Sequence, residues 1–416
     1  MRTRPGALLA AAAVISVLAA CSGNSSSSSS SAASTSSTSS ASSSSASSAP
    51  INVGMIAPLT GAFAPLGEGD QQGAELAVSQ LNAAGGIDGH KVNLIIKDDK
   101  TNPTQSVVDF QDLQGQGVAA VLGSSVSDSA RAVAPRAEQA QIPYISLSPV
   151  DQTVEPVQPY VFLVPAITTT YTTRIMQWLK AQGITKIAVG YDNTDIYTTN
   201  GYHSTITEAP QYGVKVVDTE VFQITTTDFS STISHVASSG AQAFVVWATG
   251  PAPVILTKTF AGAGLASKMK LVMTPSDATT LYTQPAGSSA NGVVMAAALG
   301  VIAPELPASP IKTEIDKLAT PFTAKYGGQP SEFAADAYSG AELLFAALKQ
   351  AAPSFSHSAI QAALNHLTLL TPDGLYNYTS ANHSGLTPDD VAMVEVQNGA
   401  FQPTAWQKTE YSTLPG

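Results

Sequence analysis

The chain has 416 residues and a formal net charge of −11, and only 12% of its residues are charged. A negative balance without clustered Lys and Arg argues against nucleic acid or an anionic lipid surface as a partner, since basic patches bind both. The part after residue 50 is longer than one domain usually is, and a single cysteine excludes an intrachain disulfide, so we expect two domains that need none.

The first 20 residues have the anatomy of a secretory signal peptide. Arg2 and Arg4 supply two positive charges, and an apolar run of small residues follows at 7–20. This run is too short for a transmembrane helix, which takes about 20 residues. Leu18-Ala19-Ala20-Cys21 resembles a bacterial lipobox, which implies acylation of Cys21 and a lipid anchor on the outer face of the cytoplasmic membrane. An ordinary cleaved signal with an incidental cysteine is the alternative.

A serine-rich stretch follows the lipidation site. Residues 22–49 are almost entirely Ser, Ala and Thr. Such a segment cannot bury enough apolar surface to offset the entropy lost on ordering. We therefore predict that 21–49 is a flexible tether and that the folded part begins near Pro50.

From Pro50 onward, short apolar runs alternate with segments of helical periodicity. Predicted strands occupy 51–57, 91–97, 118–122, 143–147, 186–191, 214–221, 243–248 and 270–273. Predicted helices occupy 71–84, 103–114, 229–237 and 254–262, with another that ends at 139. This alternation indicates an α/β fold with parallel sheets and helices on both faces, in which ligands bind beyond the carboxyl ends of the strands.

Four of the segments that follow predicted strands are polar. They are 123–129, 148–153, 192–197 and 274–277. The first is rich in serine and opens a helix, where backbone N–H groups and hydroxyls favour a carboxylate or another anion. A serine-rich helix cap without a ligand is the alternative. Because the four segments come from two sequential blocks, they predict a cleft between two domains.

The order of these motifs resembles the leucine/isoleucine/valine-binding protein family. The most specific motifs are Pro58-Leu59-Thr60-Gly61 and Asn82-Ala83-Ala84-Gly85-Gly86-Ile87, and Pro143-Tyr144-Ile145-Ser146 and Thr227-Asp228-Phe229-Ser230 also fit. Members of that family are extracytoplasmic solute-binding subunits of branched-chain amino-acid ABC transporters with the type I periplasmic-binding fold. The resemblance implies two Rossmann-like α/β lobes joined by a hinge of three crossovers, near Val164, Ala297 and Thr371. It places 50–165 and 298–370 in one lobe, and 166–297 and 371–416 in the other.

The resemblance also implies ligand-binding residues. Ser127 matches the serine that binds the ligand carboxylate, and Ser148 begins the next ligand loop. Gln152 stands where the family has a threonine, with Thr153 after it. Tyr197 lies one position beyond the family tyrosine, and the acid that pairs with a ligand ammonium aligns with Ser276 or Asp277. The predicted site is completed by Leu66, Trp247 and Thr249.

These matches imply a lipid-anchored solute receptor rather than an enzyme. It would bind an amino acid or a related carboxylate or amide and deliver it to a membrane permease, without a cofactor or a metal. A sensor lipoprotein of the same fold and an exported hydrolase are the alternatives. Residues 67–73 depart from the dinucleotide pattern G-x-G-x-x-G, since the third glycine comes one position late, and we predict a flexible loop at the lip of the ligand site.

Overall fold

Two sheets organise residues 48–414, the part of the chain that the computed structural model describes. The signal peptide, Cys21 and most of the tether lie outside the described residues. The strands are β1 (Ser48–Ala57), β2 (His90–Asp98), β3 (Val121–Gly123), β4 (Tyr144–Ser146), β5 (Val161–Leu163), β6 (Lys186–Asp192), β7 (Lys215–Phe222), β8 (Ala243–Trp247), β9 (Lys270–Met273), β10 (Val294–Ala298), β11 (Thr368–Thr371), β12 (Gly374–Asn377), β13 (Val391–Gln397) and β14 (Ala400–Pro403).

Helices connect and cover these strands. They are α1 (Ala64–Ala83), α2 (Pro103–Gly115), α3 (Ser127–Ala140), α4 (Thr168–Ala181), α5 (Ile196–Glu208), α6 (Ser230–Ser238), α7 (Ala252–Gly262), α8 (Thr280–Ala286), α9 (Pro310–Tyr326), α10 (Glu332–Ala351), α11 (His357–Leu364) and α12 (Ala405–Thr409). None of the helices in 48–414 combines the length and the apolar composition that a membrane span requires.

The two large sheets share a strand order. The first sheet has the order β2-β1-β3-β4-β5, with every neighbouring pair parallel. The second has the order β14-β13-β10-β9-β8-β6-β7, in which β6 to β10 are parallel and repeat the first sheet's order. We call the first sheet with α1–α3, α10 and α11 the first lobe, and the second sheet with α4–α8 and α12 the second lobe. The predicted α/β class with two parallel-sheet lobes is confirmed.

The chain passes between the sheets three times. It leaves the first sheet after β5, leaves the second after β10, and returns to the second at β13. The segment after β12 still contacts the first sheet, since the Tyr378 hydroxyl donates to the Leu163 carbonyl at 2.8 Å and Leu163 N–H donates to the His383 carbonyl at 2.9 Å. The exact lobe boundaries stay a prediction.

The core follows from the alternation of side chains along each strand. Met55 and Val189 belong to one buried cluster that runs through both lobes, whereas their neighbours Ile56 and Ala188 face separate clusters on the opposite faces of the two sheets. Burial on both faces explains why these strands are continuous apolar runs.

Residues 67–73 are helical, so the predicted flexible loop is wrong. They lie in α1, which begins at Ala64 with a proline in its first turn. The glycines permit close packing rather than mobility. A Cβ atom at Gly67 would lie 2.3 Å from the Pro58 carbonyl oxygen, and one at Gly73 would lie 2.1 Å from that of Ala334 in α10.

Candidate functional site

A cleft lies between the carboxyl ends of the strands of the two sheets. Its lining from the first lobe comes from the segments after β1, β3, β4 and β5 and from the start of α10. Its lining from the second lobe comes from the segments after β6, β8 and β9 and from α4. This is where the topology of parallel sheets places ligands, because the connections on either side of a switch in strand order diverge there. The cavity volume is about 60 Å³, and the space that includes its solvent-open mouth is about 570 Å³.

Five of the predicted site residues line this cleft. Two come from the first lobe and three from the second. They are Leu66, Ser127, Tyr197, Thr249 and Ser276. The apolar part of the lining is completed by Phe63, Val126, Leu147, Pro149, Pro165, Pro275 and Phe333. Apolar walls with a few convergent polar groups are typical of small-molecule sites.

Ser127 stands at the N-terminus of α3. Val126, the residue that precedes the helix, makes no side-chain cap, so the backbone N–H groups of the first turn have no capping side chain. The Ser127 hydroxyl accepts a hydrogen bond of 3.1 Å from the hydroxyl of Ser148, which is buried behind it. Backbone donors and a hydroxyl at the positive end of a helix dipole suit an anionic group.

The second lobe contributes uncharged hydroxyls and one carboxyl group. The hydroxyls of Tyr197 and Thr249 are buried and have no hydrogen-bond partner within 48–414. Asp195 accepts from the Tyr197 N–H at 2.7 Å and so caps α5, while burial raises the pKa of its carboxyl to about 6. Buried polar atoms are rarely left unpaired, which makes Tyr197 and Thr249 candidates for ligand contacts.

Two other predicted residues of the first lobe are turned away from the cavity. Gln152 and Asn200 of α5 bind each other through both amide groups, with an N···O distance of 3.1 Å from Gln152 Nε2 to Asn200 Oδ1. This pair joins the lobes outside the cavity. Thr153 is fully buried, and its carbonyl accepts from Gln158.

Two predicted residues of the second lobe lie behind the cleft lining. The Trp247 indole is fully buried, donates to Thr205 at 3.0 Å, and packs edge-to-face against the ring of Tyr197 at 5.7 Å between centroids. Its strand ends inside the core, so Trp247 supports Tyr197 instead of lining the cavity. Asp277 is also buried outside the lining, and burial raises its pKa well above the usual range.

Five polar residues that line the cleft were not among the predicted site residues. Ser125 and Asp195 lie within polar segments that the sequence indicated, whereas the other three lie outside those segments. They are Tyr171 of α4 and Glu332 and Asp336 of α10. The available signal was a pair of carboxyl groups four residues apart near the start of a largely apolar helix, since residues at that spacing share a helix face. Ser331 caps α10 by accepting from the Ala334 N–H at 3.2 Å, which places Glu332 in its first turn.

The lining as a whole is acidic. It contains Asp195, Glu332 and Asp336, and none of its residues is Lys, Arg or His. Burial, reinforced by the nearby Asp373 carboxyl, raises the pKa values of Glu332 and Asp336 well above the usual range. Within 48–414 there is no group of three or more His, Cys, Asp or Glu side chains that could hold a metal ion.

Comparison with known proteins assigns the family. The sequence model of the periplasmic binding proteins matches residues 50–400, which is most of the chain. The chain belongs to the periplasmic binding protein family. This confirms the family resemblance predicted from the motifs.

The chain is similar to several members of this family over part of its length. It is 27% identical over 206 residues to a Leu/Ile/Val-binding protein homologue of Brucella abortus, a match that covers 47% of this chain and 51% of the relative. The matched regions cover 20% of the length of one Leu/Ile/Val-binding protein homologue of Brucella melitensis and 63% of the length of another.

Solved structures share its fold. A branched-chain amino acid transporter substrate-binding protein from Streptococcus pneumoniae, in complex with isoleucine, has a TM-score of 0.73 and 24% identity, and the match covers 85% of this chain and 97% of that one. A solute-binding protein of an ABC transporter from Rhodopseudomonas palustris, in complex with 4-hydroxybenzoate, has a TM-score of 0.74 and 22% identity, with 85% and 95% covered.

Proposed function

We propose that this protein is an exported solute receptor of an ABC importer. It captures an amino acid or a related small carboxylate or amide in the cleft, and it is held to the outer face of the cytoplasmic membrane through acylated Cys21. The observation that carries the proposal is the cleft itself, where the buried and unpartnered hydroxyls of Tyr197 and Thr249 in the second lobe line the same cavity as Ser127 at the start of α3 in the first lobe. In this proposal residues 50–165 and 298–370 form one part of the clamp, and 166–297 and 371–416 form the other, with the segment around Tyr378 and His383 in contact with the first sheet.

The function requires binding and closure, and no bond is made or broken. A solute that contacts both lobes gains interactions available only when the cleft is closed, so it shifts the hinge population toward the closed form. The permease would then recognise that form. The Ser127 hydroxyl bonds to the hydroxyl of Ser148 rather than to a base, which supports a binding role over a nucleophilic one.

The carboxylate is proposed to lie at the N-terminus of α3. Isoleucine and 4-hydroxybenzoate, the ligands of the two similar structures, differ in size and in their amino group but share a carboxylate. The uncapped first turn of α3 and the hydroxyl pair of Ser127 and Ser148 provide donors for such a group. Ser127 and the second-lobe residues Tyr197, Thr249 and Ser276 are the proposed ligand contacts.

A thermal-shift screen of amino acids, amides and small carboxylates tests the proposal. A ligand at 100 times its Kd should stabilise the folded state by about 2.7 kcal/mol. X-ray scattering of the protein with the strongest hit should show a smaller radius of gyration than the ligand-free protein. A ligand confirmed by calorimetry that leaves the radius unchanged would contradict a closing clamp.

Membrane fractionation tests the anchor. Acylation requires a thiol, so Cys21→Ser should release the protein from the membrane fraction or leave its signal uncleaved. Ser22→Ala, one residue further on, is the matched control and should stay membrane-bound. A processed Cys21→Ser protein that remained in the membrane fraction would show that the anchor lies elsewhere.

A further inference from the structure

We propose that the cleft recognises a cationic amine, and that Glu332 of α10 is the residue that binds it. The inference rests on the proposed function, because it specifies the chemistry of the solute that the cleft captures. It names a residue of the first lobe, whereas the family alignment pointed to Ser276 or Asp277 in the second.

The side chain of Glu332 is buried and incompletely bonded. It is only 5% exposed and lines the cavity. One carboxyl oxygen, Oε1, accepts a long hydrogen bond of 3.3 Å from the hydroxyl of Tyr171. The other, Oε2, is buried and has no partner among the described residues. A buried carboxyl group in this state lacks a hydrogen-bond partner that burial normally demands, and it would lack still more compensation if it ionised.

The surroundings of Glu332 provide no cation. Asp336 stands one helical turn further along α10, is also 5% exposed and lines the same cavity. Asp373, in the turn between β11 and β12, is buried close enough to influence both carboxyl groups. None of the ion pairs within 48–414 involves these three residues. Ionisation of Glu332 would bury a charge without a counter-charge, which is strongly unfavourable, and an ammonium group in the cavity would supply that counter-charge.

The position of Glu332 in its helix favours the ionised form when a cation is present. It is the first residue of a 20-residue helix that Ser331 caps. Negative charge is stabilised at the N-terminus of a helix by the aligned peptide dipoles. An amine that entered the cavity would therefore meet a carboxyl group already placed to ionise beside it.

Glu332 and Ser127 together define the class of ligand. Both line one cavity, with donors for an anion at α3 and an unpaired carboxyl oxygen at α10. A molecule with a primary amine suits the acidic end, and one that also has a carboxylate satisfies both ends. Asp277 is less suited to this role, because it lies outside the residues that line the cavity.

The test uses three matched series of probes and four proteins. The probes are unbranched primary amines from methylamine to hexylamine, the amino acids of the same chain lengths, and the corresponding amine-free carboxylates. The proteins are the parent, Glu332→Gln, Glu342→Gln and Asp277→Asn. Glu342 is the matched control for Glu332, since it lies on α10 but lines a different cavity. Thermal shift identifies the binders, and calorimetry measures their Kd.

We expect amine-bearing probes to bind the parent more tightly than the amine-free carboxylates. Glu332→Gln should weaken the best amine probe by about 10- to 150-fold, the range for one hydrogen bond to a charged group. Its affinity for an amine-free carboxylate should change by less than about threefold, and this selectivity would not arise from a general loss of structure. Glu342→Gln and Asp277→Asn should leave amine binding within about threefold of the parent.

Three results would overturn the inference. The first is binding of amine-free carboxylates without binding of any amine, which would leave the receptor function intact. The second is loss of amine binding in Asp277→Asn while Glu332→Gln binds normally. The third is the failure of every probe, which would count against both the amine subsite and the proposed receptor.

Discussion

The two lobes repeat one topology but present different chemistry to the cleft. In each sheet the parallel strands follow the same order, so both lobes bring their strand-end segments to one edge. The second lobe contributes the hydroxyls of Tyr197, Thr249 and Ser276 with one helix-capping carboxyl. The first lobe contributes a helix N-terminus at Ser127 and the carboxyl groups of α10.

The difference shows that architecture and recognition have separate origins. Strand order fixes where a site can be, and it does so identically in both lobes. The acidic character of the first lobe comes from α10, a helix that reaches this lobe only after the chain has passed through the second sheet. Substitutions on this one helix can therefore change the charge of the cleft without altering either sheet.

The largest expected effect is on the pH dependence of the free energy of unfolding, and it comes from a buried carboxyl group of the first lobe. Asp70 of α1 is fully buried and accepts from Ser125 at 2.6 Å, and burial raises its pKa from 3.8 to about 8. A raised pKa means that the folded state holds a proton that the unfolded state releases. The resulting stability is complete below about pH 4 and is lost as the pH rises toward 8, by at most about 6 kcal/mol.

Chemical denaturation between pH 4 and 9 measures this effect. The free energy of unfolding of the parent should fall across that interval, and Asp70→Asn, which cannot ionise, should reduce the fall. Glu68→Gln on the exposed face of the same helix should reproduce the parent's pH dependence. An Asp70→Asn profile parallel to that of the parent would show that Asp70 does not control it.

The second effect is on the proposed anion site of the first lobe. Ser127→Ala removes a hydroxyl expected to bind a ligand carboxylate, a bond worth about 1.5–3 kcal/mol, so binding of the best carboxylate should weaken by about 10- to 150-fold. Ser129→Ala on the same helix is the control, because its hydroxyl bonds to Ser106 outside the cavity lining. Calorimetry that found equal affinity for Ser127→Ala and the parent would refute the carboxylate assignment.

The third prediction compares close packing in the two lobes. Gly73→Ala would push a Cβ atom against the backbone of α10, and Gly201→Ala would push one to 2.0 Å from the Trp247 ring in the second lobe. Each should lower the free energy of unfolding by about 1–3 kcal/mol. Gly115→Ala at the end of α2 has open space around the new methyl group and should be neutral or stabilising. Equal stability of all three variants in urea would exclude a packing role for these glycines.

The smallest expected effect concerns the contact between the lobes. Asn200→Ala removes the amide partner of Gln152, an exposed pair. Two neutral hydrogen bonds near solvent contribute about 1 kcal/mol, so ligand affinity should fall by about fivefold through easier opening of the cleft. Thr207→Ala, further along α5 and bonded only within that helix, should have no effect on affinity. A faster ligand off-rate in Asn200→Ala alone would identify the pair as a latch.

The sequence by itself determined the class of fold and the edge of the sheets where the site lies. Apolar strand runs, helical periodicity and polar segments after strands are local properties, and they were enough to place the segments 123–129 and 192–197 beside one cleft. The choice of Leu66, Ser127 and Tyr197 within the cleft came from the family resemblance. Local pattern failed at 67–73, because glycines there suggested a mobile loop. Only the approach of α10 and the Pro58 backbone shows why a helix needs glycine at those positions.

The tertiary structure alone decided which polar groups share the cavity. Glu332 and Ser127 are far apart along the chain, and their proximity depends on how α10 packs against α1 after two passages between the sheets. In the same way, Gln152 meets Asn200 and Trp247 turns behind Tyr197 because of contacts between distant segments. The hydrophobic periodicity of a helix or strand shows which of its faces is buried. Only the tertiary structure determines which residues that face contacts.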